Sequence, residues 1–204
     1  MAWMPRKLGV NRRIRVVDTF QFPGSVRQRF TLLHPEVSAD HVALVEAAAR
    51  QWFRLAVRHP KASLSMPSVL VDDLWREAVR HSREYAAFCD AAFGRYLPPE
   101  PESAMSGKAD RNTRLRRTLD LARQDERCGP RGIPLLFRID RQLSTDHDAG
   151  CVADCGGHGE CYAVSGTVCI QHLTGVDGHP QPGRPGAGEQ PGPYQWPNQG
   201  VGPS

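Results

Sequence analysis

The sequence predicts an all-α protein: a compact bundle of about five helices, followed by a small Cys/His-rich irregular or β-ribbon unit and a disordered Pro/Gly-rich tail. Three observations carry that expectation. Between residues 38 and 143 apolar side chains return at three- and four-residue steps, the spacing that lines one face of a helix. Before residue 160 no strand-like alternation of useful length occurs. And roughly half of the last thirty residues are Pro or Gly, so that stretch cannot bury enough apolar area to offset its ordering entropy. Of 204 residues, with 40% hydrophobic and 24% charged, about 170 are then left to fold, which is one ordinary domain and excludes a fusion of two enzymes.

In chain order, residues 1–37 place Arg12, Arg13 and Arg15 beside Ile14, Val16 and Val17, then Phe20 and Phe22 before Pro23-Gly24. The pattern is too short and mixed for a regular element, and an N-terminal arm or irregular first layer is expected. The helical domain spans 38–145. Ser38 caps its first helix, where Val42, Val45, Ala49, Trp52, Phe53 and Ala56 share a face until His59-Pro60 ends it. Ser68 caps the second, with Val71, Leu74, Trp75 and Ala78 inward and Asp72, Asp73, Arg76 and Glu77 outward. Ser82 caps a third, carrying Tyr85, Ala86, Phe88, Cys89 and Phe93, and Gly94 terminates it in the left-handed conformation. Ser106 opens a basic fourth helix around Leu115, Leu119 and Ala122, and a short fifth follows Pro134 with Leu135, Leu136, Phe137 and Ile139. The Cys/His-rich unit occupies 146–174 and the tail 175–204.

The stretch SMPSVLVDDLWREAVRHSREYAAFCDAAFGRYLPPEP, residues 65–101, resembles the signature of the glycine-rich domain-containing protein-like family in an actinobacterial form, and GIPLLFRIDRQL, residues 132–143, resembles that group's closing helix. With the helix before them, the resemblance covers about residues 30–145 and implies a compact helical domain. Where members carry histidines after the signature tryptophan and after the Phe-Gly-Arg element, this chain has Arg76, Ala78 and Pro98-Pro99. What remains as a candidate binding set is Asp72, Asp73, Trp75, Tyr85 and Arg95. The structural account of the same segment makes Trp75, Tyr85, Phe88 and Phe93 packing anchors and pairs Asp72 or Asp73 with an arginine one turn away.

Four of the six cysteines fall in CVADCGGHGECYAVSGTVCIQH. Cys151, Cys155, Cys161 and Cys169, with His158 and His172 as substitutes, could hold one structural zinc ion in a closed sulfur and nitrogen tetrahedron. The spacings are Cys-x3-Cys, Cys-x5-Cys and Cys-x7-Cys, not paired Cys-x2-Cys knuckles, so disulfides and free thiols compete with zinc. Val164 to Ile170 can form a short strand or hairpin arm turning at Ser165-Gly166. Cys89, on a helix among apolar neighbours, reads as a small buried hydrophobe and not as a nucleophile.

Other chemistries lack their motifs. There is no phosphate loop and no Gly-x-Gly-x-x-Gly after a strand, so no nucleotide cofactor is implied, and no Gly-x-Ser-x-Gly elbow indicates a hydrolase. A net charge of +4 is mild. Of the 26 basic residues only Lys7, Lys61 and Lys108 are lysine, and the arginines of the 111–123 helix alternate with Asp110, Asp120 and Asp125, as on a solvated helix; a nucleic-acid-binding adaptor is the weaker reading. No window approaches eighteen apolar residues and no export signal is visible, so a cytoplasmic protein without a membrane role is expected. Tyr194 and Trp196, between prolines of the tail, are a candidate docking segment. The expectation is therefore a non-enzymatic helical interaction module with a protein partner and a zinc-bound appendage. The alternative is an enzyme, or a remnant of one, around Asp72, Trp75 and Tyr85; a polar concave pocket converging on Asp72 and Asp73 would favour it.

Overall fold

The computed structural model describes residues 4–99, 108–129, 132–143, 152–153 and 168–170. Among them are seven helices: α1 Met4–Thr19, α2 Gly24–Leu33, α3 Ala39–Arg58, α4 Val69–Arg80, α5 Ser82–Phe93, α6 Lys108–Glu126 and α7 Leu135–Leu143. The all-α expectation holds for this region. The helix number does not, because residues expected as an arm form α1 and α2. Both are integral to the core: Val17, Phe22, Val26 and Phe30 are almost wholly inaccessible to solvent. Their periodicity is blurred in the sequence for a physical reason. The buried faces are narrow, and Leu32 and Leu33 point outward at 77% and 56% exposure, so apolar residues fall on both sides of α2.

Helix α3 is the axis of the bundle, in contact with each of the other six helices. Its expected stripe is buried except for Ala56, which is only partly so, and Glu46, Ala48, Gln51, Leu55 and Val57, which lie off that stripe, are buried as well. The aromatic core gathers on it: Phe53 meets Trp75, Phe88 and Phe93 at ring-centroid distances of 5.9, 5.2 and 6.0 Å. Polar side chains of α3 then tie the neighbouring segments. Glu46 accepts from Arg27 of α2 at 2.5 Å, Arg50 donates to the Phe20 carbonyl at 2.9 Å, and Arg54 pairs with Asp18 of α1 and Asp125 of α6.

Helix starts are capped partly by residues far away in sequence. Ser38 holds the N-cap position of α3, but its side chain accepts no capping bond. Ser82 is the first residue of α5, with His81 at the cap, and Ser106 lies outside the described residues. Ser68 behaves as expected, accepting from the Val71 N–H at 3.1 Å, and is completed from α7: its hydroxyl donates to Asp140 at 2.5 Å, as do the N–H groups of Val69 and Leu70 at 2.7 and 3.3 Å. Burial pushes the Asp140 carboxyl above the usual carboxylate range, against the pull of these three bonds. The first turn of α7 is served in the same way, Leu136 N–H donating to Gln51 Oε1 at 2.9 Å and Leu135 N–H to Glu126 at 2.6 Å. At the other end of α5, Gly94 adopts φ +69° as predicted, and a β-carbon there would meet the Arg13 guanidinium at 3.1 Å.

Val152–Ala153 (β1) and Val168–Cys169 (β2) pair in parallel, Val152 opposite Val168. β2 falls in the stretch expected as a strand, and Ile170 just beyond it is 2% exposed and part of the same apolar cluster as the helices. The rest of the Cys/His-rich unit and the 175–204 tail lie outside the described residues.

Glu126 makes the α6–α7 junction sensitive to acid. Desolvation raises its carboxyl pKa, but bonds from the Leu135 N–H, Arg138 and Gln51 outweigh it and hold the group below its usual 4.5. A depressed acid contributes stability that is complete above the unfolded pKa and lost as pH falls through the folded one. Denaturant titrations between about pH 5 and 3 are therefore expected to show wild type losing more stability than Glu126→Gln; parallel losses would count against this linkage.

Candidate functional site

A cavity of about 250 Å³ opens between the end of α3, the 59–68 connector, the start of α4 and Leu97-Pro98. Its position follows from local structure. His59 caps the C-terminus of α3, and the Ala62 N–H bonds back to the His59 carbonyl at 2.9 Å, so the chain turns and then runs without regular structure to α4. The connector is tied to α6, where the Ser65 N–H donates to Thr118 Oγ1 at 3.1 Å. The opposite wall is held by a buried relay: Trp75 Nε1 donates to Tyr85 Oη at 2.7 Å, and Tyr85 Oη donates to the Leu97 carbonyl at 2.6 Å.

The cavity wall is amphipathic. Ala56, Leu64, Met66, Leu97 and the Trp75 ring supply apolar surface, while Asp72, Arg76, Arg95 and His59 supply polar groups. Asp72 and Arg76 form the expected one-turn ion pair at 2.7 Å. Arg95 is exposed and forms no ion pair with any described residue. His59 is partly buried, and desolvation, reinforced by the neighbouring Arg58, lowers its pKa and favours the neutral imidazole. Trp52, 7% exposed, is among the residues around the same space, and its buried indole N–H meets no hydrogen-bond acceptor among the described residues. Buried donors of this kind are rare, since leaving one unpaired costs on the order of 1–3 kcal/mol.

Of the five residues singled out from sequence, three line the cavity: Asp72, Trp75 and Arg95. Tyr85 stands behind Trp75; burial pushes its phenol far above the ordinary range, so it stays protonated. Asp73 belongs to a different face, accepting a contact from His34 Nε2 at 3.0 Å while His34 Nδ1 lies 3.1 Å from Glu36. The two carboxylates therefore do not converge on one space. Cys89 is buried beside Tyr85, and burial pushes its thiol pKa up, away from the thiolate a nucleophile needs. Trp52, His59 and Arg76 join the site without having been predicted in it. Trp52 reads from sequence as one more core residue on the α3 stripe, and nothing in its spacing reveals that its N–H is left unpaired.

The candidate zinc ligands Cys151, Cys155, His158, Cys161 and His172 lie outside the described residues, and Cys169 enters only through the backbone pairing of β2. Among the described residues no group of three or more His, Cys, Asp or Glu is arranged to hold a metal, and no helix is long and apolar enough to cross a membrane. On the basic α6, Arg114 pairs with Asp110 at 3.0 Å and Arg123 donates to the Gly132 carbonyl at 3.0 Å, both intramolecular uses.

The Tyr85 hydroxyl is the joint between core and cavity wall. Tyr85→Phe leaves a buried indole N–H and a carbonyl unpaired and is expected to cost about 2 kcal/mol in denaturant unfolding, with faster amide exchange around Leu97. An unchanged midpoint and unchanged exchange would reject the joint.

No curated protein and no solved structure matches the chain. One family does, that described as UCP032817-like, over residues 12–173. The matched span runs from within α1 through all seven helices and the cysteine-rich stretch, and stops short of the Pro/Gly-rich tail. The chain belongs to the UCP032817-like family.

Proposed function

We propose that the protein is a non-enzymatic helical interaction module of the glycine-rich domain-containing protein-like kind, in an actinobacterial form, acting in the cytoplasm through recognition at the cavity beside Trp52. The observation that carries this reading is the cavity itself, whose wall sets Ala56, Leu64, Met66, Leu97 and the Trp75 ring beside Asp72, Arg76, Arg95 and His59. The volume of about 250 Å³ suits a small molecule or a single projecting group of a partner and not a broad protein face.

The enzymatic alternative has less to work with. Tyr85 spends its hydroxyl on the Leu97 carbonyl, Asp72 is held by Arg76, and Cys89 is buried with a raised pKa. The adaptor reading, in which α6 lies on nucleic acid, would have to break intramolecular contacts of Arg114 and Arg123.

The cavity is tested by ligand-detected NMR with small amphipathic fragments. Binding should be lost in Ala62→Trp and in Met66→Trp, which fill the space, while thermal melts report that the fold persists. Fragments that bind both variants as well as wild type would reject the cavity as the site.

For the appendage, the clustering of Cys151, Cys155, Cys161 and Cys169 with His158 and His172 supports one structural zinc ion. Elemental mass spectrometry on protein purified under reducing conditions without added metal is expected to find about one zinc per chain. The zinc should disappear when Cys155 and Cys161 are both serine. Absence of zinc with free thiols would reject the site, and absence with few free thiols would replace it by disulfides.

A further inference from the structure

We infer that the helical body is completed by the chain beyond the cysteines, so that zinc on the Cys/His-rich unit controls the stability of the whole bundle. The inference rests on the zinc site proposed above and adds what the ion regulates.

The physical link is Ile170. It is 2% exposed and belongs to the same apolar cluster as the buried faces of the helices, although it lies far beyond Leu143, where α7 ends. A buried isoleucine is a core position like any other, and withdrawing it would return to water both its own apolar surface and the surface that it covers. Cys169 directly precedes this anchor in the chain, and His172 follows it two positions later. Two of the proposed ligands are thus tethered to a residue that the helices hold.

The strand pair carries the link to the others. Val152 opposite Val168 and Ala153 opposite Cys169 fasten the residues that follow Cys151 to those that precede Ile170. The chain between them, which contains Cys155, His158 and Cys161, is thereby closed into a loop. Closure costs chain entropy, and a parallel ladder of two residue pairs returns few hydrogen bonds in exchange, since even a whole isolated hairpin is marginal in water. A cross-link between the two ends of the loop supplies the missing stabilisation. Four-coordinate zinc is such a cross-link, with metal binding and local folding as one event. Loss of the ion then opens the loop, frees β2 and unseats Ile170 from the bundle. The coupling is reciprocal: whatever factor zinc adds to the seating of Ile170, that seating adds to the affinity for zinc. The family match, ending at residue 173, takes in the helices and every proposed ligand together.

The test follows the helical circular dichroism of the full chain through thermal melts, with zinc bound and after its removal by a chelator under reducing conditions. Removal is expected to lower the midpoint of the helical transition by about 5 °C or more. Reciprocity gives the second reading. In competition with a chromophoric chelator, Ile170→Ser is expected to weaken zinc binding about tenfold or more, and the milder Ile170→Val about twofold. Val26→Ala, a change at a fully buried position of α2, controls for a general loss of stability and should leave zinc affinity within about twofold of wild type. Bound zinc whose removal leaves the helical midpoint unchanged would overturn the coupling and leave the zinc site standing, and so would Ile170 variants that bind zinc as tightly as wild type. Protein that carries no zinc would overturn the site and the coupling together.

Discussion

Everything in this fold hangs on one helix being surrounded. α3 touches all six other helices, so its residues must be apolar over far more than a single stripe, and any polar group it carries must be answered by a neighbour. Its buried Glu46 is answered by Arg27 and Arg50, and its Gln51 by Glu126 and the Leu136 N–H, whereas the Trp52 indole N–H meets no acceptor among the described residues. These bonds add little net stability, since desolvation offsets much of their Coulomb gain, but breaking one would strand its partner in the interior. Their consequence is registry. Arg50 and Arg54 fix the α1–α2 connector, α1 and α6 against the axis in a way that apolar packing, which tolerates sliding, would not.

The same logic explains how short helices persist in the bundle. α4 has 12 residues and α7 has nine, lengths that are marginal in isolation because nucleation costs more than a few turns return. Their orphan N–H groups are met by side chains brought from elsewhere, Asp140 for α4, Gln51 and Glu126 for α7. Each helix start is in effect completed by a different helix, so none of these termini is satisfied until the tertiary structure forms. Glu77 of α4, buried between Arg29 of α2 and Arg80, extends the pattern to the opposite side.

The cavity is what remains where this closure stops. Thr118 holds the connector from one side and the Trp75–Tyr85–Leu97 relay holds the other wall, and the two anchors leave a gap over Trp52. The anchors are hydrogen bonds that are buried or partly so, which favours a gap formed before any ligand arrives, the condition for binding without a large ordering cost. Of the polar groups that line it, Asp72 and Arg76 come from successive turns of α4 and Arg95 from just beyond the end of α5.

The sequence by itself determined the helical class, most of the apolar residues that α3, α4, α5 and α7 turn to the core, the capping of Ser68 and Gly94, and the Asp72–Arg76 pair; it misplaced Glu77, expected outward and found 2% exposed, and Ala86, expected inward and found exposed. All of these are local: they depend on periods of three to four residues or on one residue's backbone preference, and local energies act wherever the chain is read. The helicity of residues 4–33 was not legible, because Leu32 and Leu33 break the stripe and only contact with α3, α4 and α5 shows which side is buried. Half of the site was legible as residue types, Asp72, Trp75 and Arg95, and the separation of Asp73 from them was not, since adjacent residues on a helix diverge by about 100° and only packing tells which one faces a cavity. Asp140 as the cap of α4 and Trp52 as a donor without an acceptor were decided by tertiary structure alone. Each is a statement about what lies within 3 Å of one atom, and residues about seventy positions apart meet there for reasons no spacing in the chain contains.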